Sequence, residues 1–263
     1  MQKIAVWVLL FWGYFWLGCK TKSNKQDVTY VHIDSFKFVA NPVLPSVTLS
    51  HQITGVSVYY NNEFLGVFSL PATIPVAAAG TCSLAFLPCV NEYGQNSQVA
   101  PYPFYRADTF SFTAKPGKIV TYEGTTSFYS NVNINVISNF ETGLTNFYLA
   151  KGSVPMTLVT AASPGLGSMI FEGSGSGSVY LTNPGVDSSA DSTVSCLIPP
   201  GVAFIEFNYK SDLPFYIGIQ SNLAGLFSVP LYIAGIYPIG YWQKIYIKVS
   251  DYTAAYEGST YNF

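Results

Sequence analysis

Residues 29–39 read TYVHIDSFKFV, an alternation of apolar and polar side chains, and runs of this kind recur along nearly the whole chain. Each is short and is cut by Gly, Pro, Asn or Ser. A period of two puts alternate side chains on opposite faces of a strand. After residue 18 no stretch longer than two turns carries the 3.6-residue period of a helix. The chain is therefore constrained to an all-β fold. Its 20 Tyr and 19 Phe suit pleated surfaces, and its 22 Gly and 16 Pro supply the breaks between them.

The runs fall into two groups. In the first, strands are expected at 29–39, 47–53, 55–61, 63–71, 72–77, 81–87, 107–114 and 118–123, the spacing of a β-sandwich. Asn61-Asn62 between two such runs is a hairpin signal, because Asn tolerates positive φ. The stretch Ala114 to Lys118, AKPGK, reads as a tight turn joining two antiparallel strands. A second unit begins near Ser138-Asn139-Phe140-Glu141-Thr142-Gly143. Its strands are expected at 155–161, 167–173, 178–182, 192–198, 202–209, 214–221, 225–233 and 242–250. The run EGSGSGSVY (Glu172 to Tyr180) reads as a hairpin loop or a bulged edge. With 263 residues there is enough chain for two medium domains with real cores. The expectation is two tandem antiparallel β-sandwich domains, 29–137 and 138–263, behind a signal peptide at 1–18 and a tether at 19–28.

The N-terminus carries that signal. Lys3 precedes Ile4 to Leu17, 14 residues without charge. A spanning helix needs about 20, so the run fits the apolar core of a secretory signal peptide. It ends Trp16-Leu17-Gly18-Cys19, which resembles a bacterial lipobox, where signal peptidase II cuts before a diacylated cysteine. Gly18 and Cys19 match. Trp16 and Leu17 depart, since the leucine usually sits one place earlier, and looser lipoboxes of this kind occur in Bacteroidota. An ordinary signal peptide or an anchor helix with an incidental cysteine is the competing reading. Acyl chains gain about 0.8 kcal/mol per buried methylene, so lipid on Cys19 would hold the protein on a membrane without a spanning helix. The polar run KTKSNKQDV after it suits a flexible tether. Surface-exported lipoproteins often carry acids there. Lys20, Lys22 and Lys25 stand there instead, which favours the periplasmic face of the outer membrane over the cell surface.

Charge excludes one class of partner. Twelve Lys plus Arg against 14 Asp plus Glu, thinly spread, provide no basic face for nucleic acid. No CxxC pair exists and the only histidines are His32 and His51, so no metal centre is expected. Asp187 and Asp191, in the loop GVDSSADS, are weak calcium candidates with oxygen ligands, or simply a solvated loop. Cys82 and Cys89 end an extended run of seven steps, about 23 Å. A disulfide bridges Cα atoms roughly 4.4–6.8 Å apart, so both, with Cys196, read as buried or half-buried free thiols.

The stretch GVSVYYNNEFLGVFSLPATIPVAAAGTCSLAFLPCV, with Gly66, Pro71, Pro75 and Gly80, resembles the small β-sandwich modules of bacterial envelope proteins. With YPFY (Tyr102 to Tyr105) it resembles the first domain of a two-domain lipoprotein group of Bacteroidota without established activity. Phe140-Glu141 near Gly143, and GYWQKIYIKVSDY (Gly240 to Tyr252), resemble the opening and closing of jelly-roll domains. Many of those bind carbohydrate, which is what the resemblance implies for residues 138–263.

No paired carboxylates or nucleophile–base set is tied together by a motif, so no enzyme is expected. His32 reads as a surface histidine and His51 as unconnected. Aromatic clusters are the positive signal: Tyr102, Phe104 and Tyr105 in one loop, and Tyr232, Tyr237, Tyr241 and Trp242 near the end. Exposed, they would meet a sugar ring or a protein partner; buried, they would fill a core. Glu206 shares a strand face with Phe204 and Asn208, facing either a ligand or solvent. The expected function is a non-catalytic outer-membrane lipoprotein that binds or scaffolds envelope proteins. The alternative is a glycan-binding lipoprotein using the jelly-roll-like domain.

Overall fold

The computed structural model describes residues 28–45, 47–141, 147–148, 154–163, 169–183, 185–191, 196–198, 201–221, 231–253 and 260–262. The signal peptide, Cys19 and the tether up to residue 27 lie outside the described residues, as does the side chain of Cys196.

The described chain is all-β, its strands arranged in several mainly antiparallel sheets. In the first half, β1 (Val28–Phe38) lies between β4 (Ala72–Ala77), antiparallel, and β8 (Ile119–Thr126), parallel. Facing it is a sheet of β3 (Glu63–Ser69), β2 (Ile53–Tyr60), β5 (Thr81–Asn91) and β6 (Val99–Pro101), with β7 (Asp108–Thr113) also on β5. Val31, Ile33, Ile74, Val56, Leu84 and Phe86 meet between the sheets, all fully buried. Each such side chain contributes about 1.5–3 kcal/mol by leaving water. Asn61 and Asn62 turn the β2–β3 hairpin with φ of 50° and 64°, the conformation that the right-handed twist of the strands favours.

Three expectations need correction here. The turn at 114–118 does not join paired strands: β7 bonds to β5, while β8 bonds to β1 in the opposite sheet. Both strands carry aromatics, and facing one another across the core buries Phe112 and Tyr122, with Phe110 and Tyr122 at 4.8 Å. Residues 47–52 form no strand, since their polar groups turn to the second half. Strand β5 runs on through Pro88 to Asn91. The proline's missing N–H is harmless because only its carbonyl is used, accepting from Tyr102 N at 2.9 Å. Cys82 and Cys89 sit at either end of β5 as free, buried thiols.

In the second half, β14 (Phe204–Ser211) pairs with β17 (Ile239–Lys248). A second sheet runs β13 (Cys196–Leu197), β18 (Thr260–Asn262), β15 (Phe215–Ser221), β16 (Leu231–Ile236). Ile219, Ile233, Ile236, Ile245, Ile247 and Val249 form the core. Two small pairs flank it: β9 (Phe147–Tyr148) with β12 (Ala190–Asp191), and β10 (Met156–Thr160) with β11 (Gly175–Val179). A single turn of helix, α1 (Ser250–Thr253), follows β17.

The Gly/Ser run is a fourth correction. It is neither loop nor bulge, for Gly175 to Val179 is itself strand β11 in regular register with β10. Its glycines answer to Phe140 and Glu141. A Cβ at Gly177 would lie 2.7 Å from the Phe140 ring, and one at Gly175 would strike the Phe140 carbonyl. The Glu141 carboxylate accepts from Ser174 N at 2.8 Å and Ser174 Oγ at 2.7 Å, and these bonds hold its pKa below the usual carboxylate value. Residues 169–173, expected as a strand, carry none.

Candidate functional site

Strand β17 organises everything that follows. One face, Ile245, Ile247 and Val249, enters the second core. The other face carries Lys244 and Tyr246 against the first half. Tyr246 is inserted among Phe38, Val90, Tyr102, Tyr105 and Phe128, all buried with it. Its ring centroid lies 4.9 Å from that of Tyr102. Its hydroxyl accepts from Gln52 N at 3.0 Å and lies 2.8 Å from the Tyr105 hydroxyl. Its carbonyl accepts from Tyr93 N at 2.8 Å, which leaves Glu92 bridged to β17 like a strand neighbour.

Beside it runs a line of charge and hydrogen bonds. Tyr102 donates its hydroxyl to one Glu206 oxygen. The other oxygen meets Lys244 Nζ at 2.7 Å, and Lys244 also donates to the Ser50 carbonyl at 3.2 Å. Ser50 Oγ donates to Asn208 Oδ1 at 2.8 Å. Burial, with Glu206 or Tyr246 next in order, pushes the Tyr102 and Tyr105 hydroxyls well above their ordinary value.

The structure thus brings four expected contact residues together: Tyr102, Phe104, Tyr105 and Glu206. It places them at the junction of the halves, where Tyr102 and Tyr105 are only 3% exposed. Phe204, Glu206 and Asn208 share a face as expected, and that face turns toward the first half of the chain, with Asn208 also lining the cleft described below. The junction also uses residues that the sequence did not single out: Ser50, Gln52, Lys244 and Tyr246. The available signal was in β17 itself, where an aromatic and a basic residue alternate with a full apolar face. A strand apolar on both faces is buried on both.

Next to the junction a cleft of about 380 Å³ opens between the halves. Trp242 and Phe171 form an aromatic wall, with ring centroids 5.3 Å apart. His51 and Gln52 from the first half, with Asn208 and Gln243 from the second, supply polar groups around it. Thr48 donates to Glu172 across the halves at 2.5 Å. The buried Nδ1 of His51 and Nε1 of Trp242 have no hydrogen-bond partner among the described residues. Burial, and secondarily the Lys244 charge, lower the His51 pKa, so its ring is neutral near pH 7.

The remaining tyrosines behave differently. Tyr216, Tyr232, Tyr237 and Tyr241 are between 62% and 80% exposed. On the outer face of the β15–β16 pair, Tyr216 stands opposite Gly235 and Tyr232 opposite Gly218. Each ring leans over its glycine: a Cβ at Gly235 would lie 3.3 Å from the Tyr216 ring, and one at Gly218 3.2 Å from the Tyr232 ring. The two rings are 5.8 Å apart and tilted 57° to each other, a shallow aromatic notch. Tyr237 and Tyr241 flank the short β16–β17 turn, where the Tyr237 carbonyl accepts from Tyr209 at 3.4 Å. Tyr216 is a contact candidate that the sequence reading missed; a tyrosine placed across from a glycine on a hairpin was its signal.

The other candidates have local roles. Asp187 accepts from Thr182 N at 2.7 Å, Thr182 Oγ1 at 2.9 Å and Asn183 N at 2.7 Å, closing its own loop, and these bonds lower its pKa. The Asp191 side chain lies outside the described residues. No group of three or more His, Cys, Asp or Glu among the described residues is placed to hold a metal. His32 bonds to Thr73 at 2.8 Å and Asp34 at 3.0 Å. No protein-family model matches this chain, and no curated protein is similar enough to match it.

Proposed function

We propose that this protein is a non-catalytic binding or scaffolding component of the outer membrane, held by lipid on Cys19 and working with envelope proteins. The observation that carries the reading is the tyrosine corner. Four tyrosines stand uncovered on strands β15 to β17 and the turn between β16 and β17, and β15 and β16, FYIGIQS and LYIAGI, contain no charged residue. Tyr combines apolar area, few rotatable bonds and a polar tip, and it is enriched at the energetic centres of protein interfaces. Uncharged, aromatic surface of this kind is what a partner covers. The apolar run ending at Cys19 and the polar stretch behind it support the anchor, and Lys20, Lys22 and Lys25 support the periplasmic face.

The test is co-purification of the tagged full chain from detergent-solubilised envelopes after mild crosslinking. A stoichiometric envelope protein should appear, and it should disappear with the Tyr216→Ser/Tyr232→Ser double variant. Equal recovery from the variant would remove the tyrosine corner from the account. For the anchor, labelled fatty acid should enter the wild type and not Cys19→Ala; equal labelling of both rules lipidation at Cys19 out.

A further inference from the structure

We propose that the cleft between the halves is a binding site for a neutral saccharide unit, with walls from both halves. This goes beyond the partner reading and does not depend on it. The site also differs from a glycan site confined to residues 138–263, because His51 and Gln52 belong to the first half.

The chemistry of the walls selects the ligand. Trp242 and Phe171 offer an aromatic surface, which stacks on the C–H face of a sugar ring. Asn208, Gln52 and Gln243 carry amides, which both donate and accept and so match hydroxyl groups. Charge works against anions. The Lys244 ammonium is committed to Glu206 at 2.7 Å and to the Ser50 carbonyl at 3.2 Å. The neutral His51 adds no positive charge, and Glu172 repels a phosphate or carboxylate. The volume, about 380 Å³, falls at the lower end of the roughly 300–1,000 Å³ of small-molecule pockets. Two residues that line the cleft also hold buried nitrogens without a hydrogen-bond partner among the described residues, His51 Nδ1 and Trp242 Nε1.

Trp242 makes the test direct. The sequence has 4 Trp, and the other three, at positions 7, 12 and 16, lie in the stretch read as the signal peptide, so processing at Cys19 leaves Trp242 alone. Labelled with 5-fluorotryptophan and held in detergent, the protein gives a 19F resonance for Trp242 that Trp242→Phe identifies by deletion. Methyl glycosides of glucose, galactose, mannose and N-acetylglucosamine are titrated one at a time. At least one should shift the Trp242 resonance saturably. Phe171→Ala should weaken that binding about tenfold, while Tyr216→Ser leaves it unchanged. Should Phe171→Ala lose its fold by circular dichroism, Gln243→Ala takes its place with a weakening of several-fold. The proposal is overturned by a Trp242 resonance that no glycoside moves, or by saturable binding that survives the wall substitutions.

Discussion

The loop tyrosines Tyr102 and Tyr105 and the corner tyrosines Tyr216 and Tyr232 look alike in sequence, yet one pair is sealed and the other uncovered. The difference lies in their hydroxyls and their neighbours. Tyr102 donates its hydroxyl to Glu206, the Tyr105 hydroxyl pairs with that of Tyr246, and their rings meet Phe204, Phe38 and Phe128. Tyr216 and Tyr232 lean over glycines on an outer sheet face. The comparison teaches that an aromatic cluster becomes structural when a second element brings both an apolar socket and a polar partner. Strands β14 and β17 bring both to the first cluster, β14 with Phe204 and Glu206 and β17 with Tyr246.

Substitution should separate the two clusters most sharply at Tyr246. Tyr246→Ala should cost about 3–5 kcal/mol, the usual loss for a large buried aromatic. Tyr216→Ala should cost within about 0.5 kcal/mol. Urea titrations followed by circular dichroism measure both, and equal losses would erase the distinction. Lys244→Met comes next, at about 3 kcal/mol, because it leaves Glu206 half-buried without its cation. Adding Glu206→Gln should recover much of that loss; if it does not, the pair does not act as a pair.

Alkali should act on the sealed groups. Burial raises the Cys89 thiol from 9.0 to about 12. The folded chain then holds this proton more tightly than the unfolded chain does. The resulting stability is complete below about pH 9, falls as the pH rises, and is gone above about 12. The Tyr102 and Tyr105 hydroxyls, also raised, add in the same direction. Unfolding midpoints taken at intervals from pH 8 to 11 should decline, and less steeply in Cys89→Ala. A smaller effect is expected of Tyr105→Phe, about 1 kcal/mol for one buried hydrogen bond, read by the same urea titration. The smallest is the Tyr216→Ser/Tyr232→Ser pair, near zero in stability while partner recovery is lost.

Alternation made the β-class and most strand positions legible, because burial on one face leaves a period of two in the residues. The Asn61-Asn62 hairpin was legible for the same local reason, positive φ. Which sheet a strand joins was not. Nothing within 107–123 distinguishes hairpin partners from strands that face each other across a core. Strand β11 was hidden because its glycines are set by Phe140 and Glu141, more than thirty residues earlier. At the candidate site, the sequence marked Tyr102, Tyr105 and Glu206 as special but could not say what they touch. Their partners, Tyr246 and Lys244, lie over a hundred and thirty residues from Tyr105. Contacts at that distance depend on how the halves dock, which no local pattern encodes.

Strand β17 has a mechanical consequence. If the protein is tied to a membrane ahead of Val28 and gripped at Tyr216 and Tyr232, as proposed, it would carry tension between those points. The path runs through Tyr246, the Glu206–Lys244 pair and the bridge to Glu92. Within each half, strands resist with ladders of backbone bonds. Across the seam, the described residues resist through the side chains of β17 and β14 and the Thr48–Glu172 bond. Under such a pull the seam is expected to open before the strand ladders do, at a force set by its opening rate.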